Sequence, residues 1–136
     1  MTSSEQIQKH QLPSAIESLA KVEQLIDDLK VSFNIPEDQY GNILVSLSEA
    51  VNNAIKHGNQ LDASKFIDLS FEFSDKAIVF SVKDQGQGFD YNKIPDPTHP
   101  DNIDKPDGRG IFIMKSLSDK VEFEENGSLV KIEFQR

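Results

Sequence analysis

The feature that most narrows the fold is a change of period partway along the chain. Up to Gly58 the apolar residues recur at helical spacing; from Phe66 they alternate. Ser14 and Glu17 have capping-box spacing just after Pro13, so a helix is expected to begin there. Ile16, Leu19, Val22, Leu25, Ile26 and Leu29 carry it to about Lys30. A second helix is expected from Pro36, a good first-turn residue, to Gly58, with Tyr40, Ile43, Leu44, Leu47, Val51, Ala54 and Ile55 as its buried stripe. Ile7–Leu12 reads as a short edge strand. Phe66–Phe73 and Ala77–Val82, joined through Ser74-Asp75-Lys76, read as a hairpin.

Residues 84–106 are rich in Gly, Pro, Asp and Asn and too long for an ordinary connection, which suggests a functional loop. A short helix is expected from about Gly110 through Leu117. Val121–Glu125 and Leu129–Phe134 then form a closing hairpin around Asn126-Gly127, a strong two-residue turn signal. The sum is an α+β fold: a two-layer sandwich with a mostly antiparallel sheet and about three helices on one face.

With 136 residues the chain fits one domain with one core. It has no cysteine, which excludes disulfides and thiolate metal sites and suits a reducing compartment. Residues 1–12 lack an apolar signal core, and no window approaches the roughly 20 apolar residues of a membrane span. The expectation is a soluble cytoplasmic protein with no membrane partner. A net charge of −9 and a pI near 4.7 argue against nucleic acid and anionic membranes. They favour a basic partner protein, or nothing more than solubility.

Three segments carry candidate chemistry. On the second helix, Glu49, Asn53 and Lys56 lie at roughly 180°, 220° and 160° from the centre of the apolar stripe, so one polar face holds a carboxylate, an amide and an ammonium. A solvated helix face would look the same. Asp84-Gln85-Gly86-Gln87-Gly88-Phe89 follows a strongly apolar strand, where a carboxylate is partly buried and two glycines let backbone approach a ligand. A plain turn is the alternative. Gly108-Arg109-Gly110 opens the last helix, where unpaired amides attract phosphate and Arg109 can add charge-assisted bonds; an ordinary N-cap glycine is the alternative. Neither a P-loop nor a G-x-G-x-x-G dinucleotide motif is present. His10, His57 and His99 show no metal-ligand spacing and read as structural or solvated.

Taken in order, these segments resemble the boxes of the GHKL ATPases. Residues 49–58, Glu-Ala-Val-Asn-Asn-Ala-Ile-Lys-His-Gly, resemble the N box; residues 84–89 resemble the first glycine box and residues 108–114 the second. Glu-Ala-Val-x-Asn-Ala-x-x-His and Gly-x-Gly-x-Phe are most similar to the anti-sigma-factor serine kinases of partner-switching systems. The resemblance implies a Bergerat-type fold in one domain over 1–136, usually dimeric, with 1–5 disordered and 90–107 as an ATP lid. It implies ATP and Mg²⁺ as cofactors. Glu49 matches the general base, Asn53 the Mg²⁺ ligand, Lys56 a phosphate contact, and Asp84 the acceptor from the adenine amino group. Gly86 and Gly88 leave room for the purine. Gly108, Gly110 and the following amides of Ile111 and Phe112 would hold phosphates, with Arg109 added by inference.

The implied function is a serine kinase that phosphorylates an anti-anti-sigma (STAS-type) partner and sequesters a sigma factor. Two alternatives stand beside it: a non-catalytic ATP-binding anti-sigma module, and the detached ATPase domain of a histidine kinase. Glu49 favours the kinase, because a pure binder needs no base.

Overall fold

In the computed structural model, which describes residues 6–86 and 106–136, the alternation becomes a five-stranded sheet. Its strands are β1 (Gln6–Pro13), β2 (Phe66–Phe73), β3 (Ala77–Lys83), β4 (Lys120–Glu124) and β5 (Leu129–Gln135). They lie in the order β1-β2-β3-β5-β4, and every neighbouring pair is antiparallel. The expected edge strand is therefore real: β1 pairs with β2 along its whole length, from Gln6↔Phe73 to Pro13↔Phe66. The register sends Ile67, Leu69, Phe71, Phe73, Ile78, Phe80, Val82, Val130, Ile132 and Phe134 to one face, where all are buried. The opposite face carries Lys9, Ser70, Ser81, Lys131 and Glu122 in one cross-strand row.

Three helices cover the apolar face: α1 (Ser18–Phe33), α2 (Glu37–Asn53) and α3 (Pro106–Leu117). Val22, Ile26 and Leu29 of α1, and Ile43, Leu47 and Val51 of α2, complete the core. Each fully buried side chain of this size contributes ~1.5–3 kcal/mol. Phe80 sits at the centre with its ring edge-on to Phe71, Phe73 and Phe134. The two long helices are fastened together at the surface. The Tyr40 hydroxyl donates to the Asp27 carboxylate, and Lys30 lies 4.6 Å from the Tyr40 ring centroid. The same acceptor pushes the Tyr40 pKa up to about 12.

Several boundaries differ from the expectations, each for a local reason. The capping box at Ser14 is not formed. The Ser14 amide bonds to Lys65 O and prolongs the β1–β2 edge; its buried Oγ has no partner among the described residues. The helix starts instead at Ser18, whose Oγ donates to Pro13 O at 2.7 Å. It also runs three residues past Lys30, because Phe33 stacks on Phe73 with centroids 3.9 Å apart; Asn34, at φ 52°, then ends it. The second helix stops being an α-helix at Asn53 and continues as a π-helical turn over Ala54–Gly58. The third begins at Pro106, four residues before Gly110, since proline suits a first helical turn.

The expected two-residue turn at Asn126-Gly127 is also replaced. Glu124 faces Leu129, so four residues intervene, including a 3₁₀ turn over Glu125–Gly127 with Gly127 at φ 94°. Ser128 braces this loop by donating from N and Oγ to Glu125 O. No helix among the described residues is long and apolar enough to cross a membrane.

Candidate functional site

The π-turn is where the site is built. A helix gains such a turn when one residue more than the α-helical count is accommodated, and these turns recur at functional sites. Here it closes with the Asn59 amide on Ala54 O at 2.8 Å. It delivers Gly58 against the residues that follow β3. A Cβ at Gly58 would stand 2.2 Å from Asp84 Oδ2, and one at Gly86 would stand 2.0 Å from Gly58 O. Only a side-chain-free backbone fits at either position, so the end of the helical segment and the first glycine turn are in direct contact.

Beside this contact opens a cavity that is continuous with solvent at its mouth. Asn53 of α2, His57 and Gly58 of the π-turn, and Asp84 line one part. Val82, Val130, Phe123, Ile111 and Met114 supply an apolar wall, and Gly127 with Ser128 closes one side. An apolar slot with a few polar groups suits a flat heteroaromatic ring with a polar edge.

Asp84 is the polar group most affected by this setting. It is 9% exposed. Burial raises its pKa above the usual carboxylate range, against the opposing effects of the Gly86 N–H, which it accepts at 2.8 Å, and of the Lys65 charge. Its backbone N–H donates to Ser128 O at 2.9 Å, which ties the site to the β4–β5 loop.

Helix α3 packs across α2. The crossing is close because of Gly110: a Cβ there would meet Asn53 Nδ2 at 2.9 Å, Glu49 Oε2 at 3.1 Å and Asn53 Oδ1 at 3.3 Å. Glu49 and Asn53, one turn apart on α2, therefore share a face with Gly110 and point the same way. Neither side chain makes a hydrogen bond or ion pair among the described residues, which leaves a carboxylate and an amide with open valence at the site.

The structure thus brings together Glu49, Asn53, Asp84, Gly86, Gly110 and Ile111. It does not place Lys56, Arg109 or Phe112 on the cavity; all three are exposed, Phe112 by 47%. Because α3 starts at Pro106, helical geometry commits the amides of Gly110, Ile111 and Phe112 to bonds within the helix. Gly108 lies in the first turn of α3. Gly88 and residues 90–105 of the expected lid lie outside the described residues, as do 1–5.

Sequence reasoning missed two contributors. His57 borders the cavity, although it read as structural or solvated. Asn59, completely buried, links the π-turn to the glycine turn, accepting from the Gln85 N–H at 2.8 Å. An asparagine after a glycine looks like a turn residue, and its partners lie far away in sequence, so no local signal marks it.

Among the described residues no group of three or more His, Cys, Asp or Glu converges. A cation here would need most of its oxygens from a ligand and water, as Mg²⁺ commonly does with phosphates. The unpartnered Asn53 amide fits the role of a single protein ligand.

The model of the histidine kinase-like ATPase domain matches residues 12–134. The serine-protein kinase RsbW of Staphylococcus epidermidis is 28% identical over 140 residues, covering 97% of this chain and 88% of that one. The same-named protein of Staphylococcus aureus strain MRSA252 is 26% identical with the same coverage. Among solved structures, that of the RsbU and RsbW domains of Rv1364c from Mycobacterium tuberculosis superposes with a TM-score of 0.66 at 15% identity. It covers 96% of this chain and 32% of that longer one, so its likeness is one of fold. These relatives bear out the resemblance drawn from the three boxes, and the matched span of residues 12–134 shows that the chain belongs to the histidine kinase-like ATPase domain family.

Proposed function

We propose that the chain is an ATP-dependent serine protein kinase that acts as an anti-sigma regulator. The observation that carries the reading is the shared hollow: Asn53 and Asp84 line one cavity, and Gly110 of the second glycine box touches Asn53 and Glu49. The RsbW proteins named above, matched over nearly their whole length, support serine as the acceptor.

In this reading the adenine lies against the Val82–Val130–Ile111–Met114 wall and its amino group donates to Asp84. Asn53 Oδ1 offers a ligand to Mg²⁺, which supplies charge neutralisation on the phosphates. Glu49 orients the serine hydroxyl of the partner and takes its proton as the hydroxyl oxygen bonds to the γ-phosphorus and the bond to the β-bridging oxygen breaks. Lys56 and Arg109 are exposed and contribute at most from the rim. Gly88 and the segment 90–107 are assigned to purine clearance and to a lid that excludes water.

The partner is an anti-anti-sigma protein of STAS type, phosphorylated on serine, with a sigma factor as a second partner and a homodimer as the working form. Regulation of a sigma factor places the protein in the cytoplasm. The test has two stages. Mg-ATP should raise Tm, and Asn53→Ala should remove most of that rise; no shift in the wild type would defeat the nucleotide reading. Glu49→Ala should then keep ATP binding but abolish label transfer from [γ-³²P]ATP to a cognate partner. Unchanged transfer would overturn the base assignment, and binding without transfer in the wild type would leave a non-catalytic module.

A further inference from the structure

The ATP reading uses Asp84 but gives no task to Asn59, an amide that is 0% exposed behind the cavity wall. Both ends of its carboxamide are committed to backbone on separate elements. Oδ1 accepts from the Gln85 N–H at 2.8 Å, and Nδ2 donates to Phe66 O at 3.1 Å. Gln85 answers from the other side, its Oε1 accepting the Phe66 N–H at 2.6 Å. The first residue of β2, the end of the π-turn and the glycine turn are thereby closed into one ring of hydrogen bonds.

Asp84 stands beside that ring. Its own N–H is held by Ser128 O at 2.9 Å, and the next N–H along, that of Gln85, is held by Asn59. Two consecutive amides anchored to different elements fix the two peptide planes that flank the Asp84 α-carbon, and with them the direction in which its Cα–Cβ bond leaves the backbone. Asp84 Oδ1 is further occupied by the Gly86 N–H. One anchor, Ser128, sits on the β4–β5 loop; the other, Asn59, belongs to the segment that also carries Asn53 and Gly58. Asn59 therefore couples the adenine-facing carboxylate to the helix that bears the metal and base candidates.

We propose that Asn59 is a positioning residue for Asp84, and that its bond to the Gln85 N–H sets the selectivity of the cavity for a purine bearing a 6-amino group over one bearing a 6-oxo group. The inference rests on the ATP reading. Hydrogen bonds weaken steeply with misalignment, so a carboxylate that swings loses its discrimination before the pocket loses its apolar grip on the ring. The carboxylate accepts from a 6-amino donor and repels a 6-oxo oxygen, which is the difference that Asn59 protects.

The experiment compares dissociation constants for Mg-ATP and Mg-ITP, which differ in that one group, on the full chain, with Tm measured without nucleotide. The wild type should prefer ATP by at least about tenfold, the worth of one hydrogen bond to a charged group. Asn59→Ala should bring the two constants together. Asn59→Asp keeps the shape and an oxygen for the Gln85 N–H, and buried against Phe66 O its carboxyl is held neutral, with a hydroxyl left to donate there; it should keep the preference. Gln85→Ala, which removes the contact to Phe66 but not the backbone N–H, should keep it too. Asn59→Ala with the wild-type ratio, at any Tm, overturns the proposal. So does loss of the preference in Asn59→Asp, which decides the matter if the alanine variant does not fold. Equal flattening in Gln85→Ala would reduce Asn59 to general bracing. A wild-type chain that binds neither nucleotide, or both equally, defeats instead the ATP reading or its Asp84 contact, and the inference falls with it.

Discussion

The α-carbon of Gly58 rests against the Asp84 carboxylate so closely that a methyl group there would lie 2.2 Å from Oδ2 and 2.3 Å from Cγ. Glycine is needed at this position for space and not for backbone angle, since Gly127 alone among the described glycines has positive φ. Gly58→Ala should push Asp84 out of place and cost ~1–3 kcal/mol by overpacking. Nucleotide affinity should fall at least about tenfold. The double variant Gly58→Ala/Asp84→Gly should recover most of the stability and none of the affinity, because the two losses share one clash. Thermal melts with and without Mg-ATP on the cycle of four proteins check this.

Gly110 should separate stability from activity. The atoms nearest a methyl group there are the ends of two side chains, Asn53 and Glu49, and both can turn aside. Alanine is also a better helix residue than glycine by about 1 kcal/mol. Gly110→Ala should therefore leave Tm unchanged or higher while lowering phosphate transfer. Parallel measurement of Tm and transfer rate decides it; a variant with normal transfer would show that Glu49 and Asn53 need not keep their present positions.

The raised pKa of Asp84 has a sign that can be worked out. Burial keeps the proton on more readily in the folded chain than in the unfolded one, so a penalty on folding sets in as pH rises above the ordinary carboxylate value and is complete once it passes the folded one. The penalty vanishes below the ordinary carboxylate range. Asp84→Asn keeps an oxygen for the Gly86 N–H and carries no charge. Its Tm should exceed that of the wild type at pH 7, with the gap closing as pH falls toward about 4. ATP-induced stabilisation should be lost in the same variant. A gap that widens on acidification would show that Asp84 is stabilised, not strained, by its surroundings.

Gly41 is the control. It lies in α2 with nothing within 4 Å of where a Cβ would be. Gly41→Ala should stabilise by ~0.5–1 kcal/mol. That corresponds to about 2–4 °C in Tm. ATP and ITP affinities should be unaffected, and any change in them would reveal coupling from the far end of α2.

What could be read from the chain beforehand follows from how local each signal is. Phe66–Phe73 and Ala77–Lys83 were legible almost to the residue because alternation is a property of neighbours and a sheet buried on one face punishes any slip. Asn53 and Asp84 stood out through the order of three short boxes that resemble one family, not through either run alone, and the structure sets both on one cavity. The starts of α1 and α3 were not legible, since Ser14 was diverted to Lys65, in the bend before β2, and Pro106 outweighed the glycines after it. Lys56 was set on the polar face by an α-helical wheel, but the π-turn from Ala54 widens the winding, and Lys56 ends exposed and off the cavity. Asn59 was invisible for the plainest reason: Phe66 and Gln85, which it joins, are 7 and 26 residues away.

The widened turn over residues 54–58 also constrains how a gene of this kind can drift. The turn holds one residue more than an α-helix would over the same advance, so loss of a single codon there would let ordinary helical winding take over with Gly58 and Asn59 arriving close to where they now stand. Gain of a codon has no such outlet. One more residue, wound helically, turns everything after it by about 100°, and Gly58 would leave its seat beside Asp84 and Asn59 its hold on Gln85, though no functional side chain had been altered. Spacing in this stretch is heritable information in its own right, tolerant of shortening and intolerant of growth.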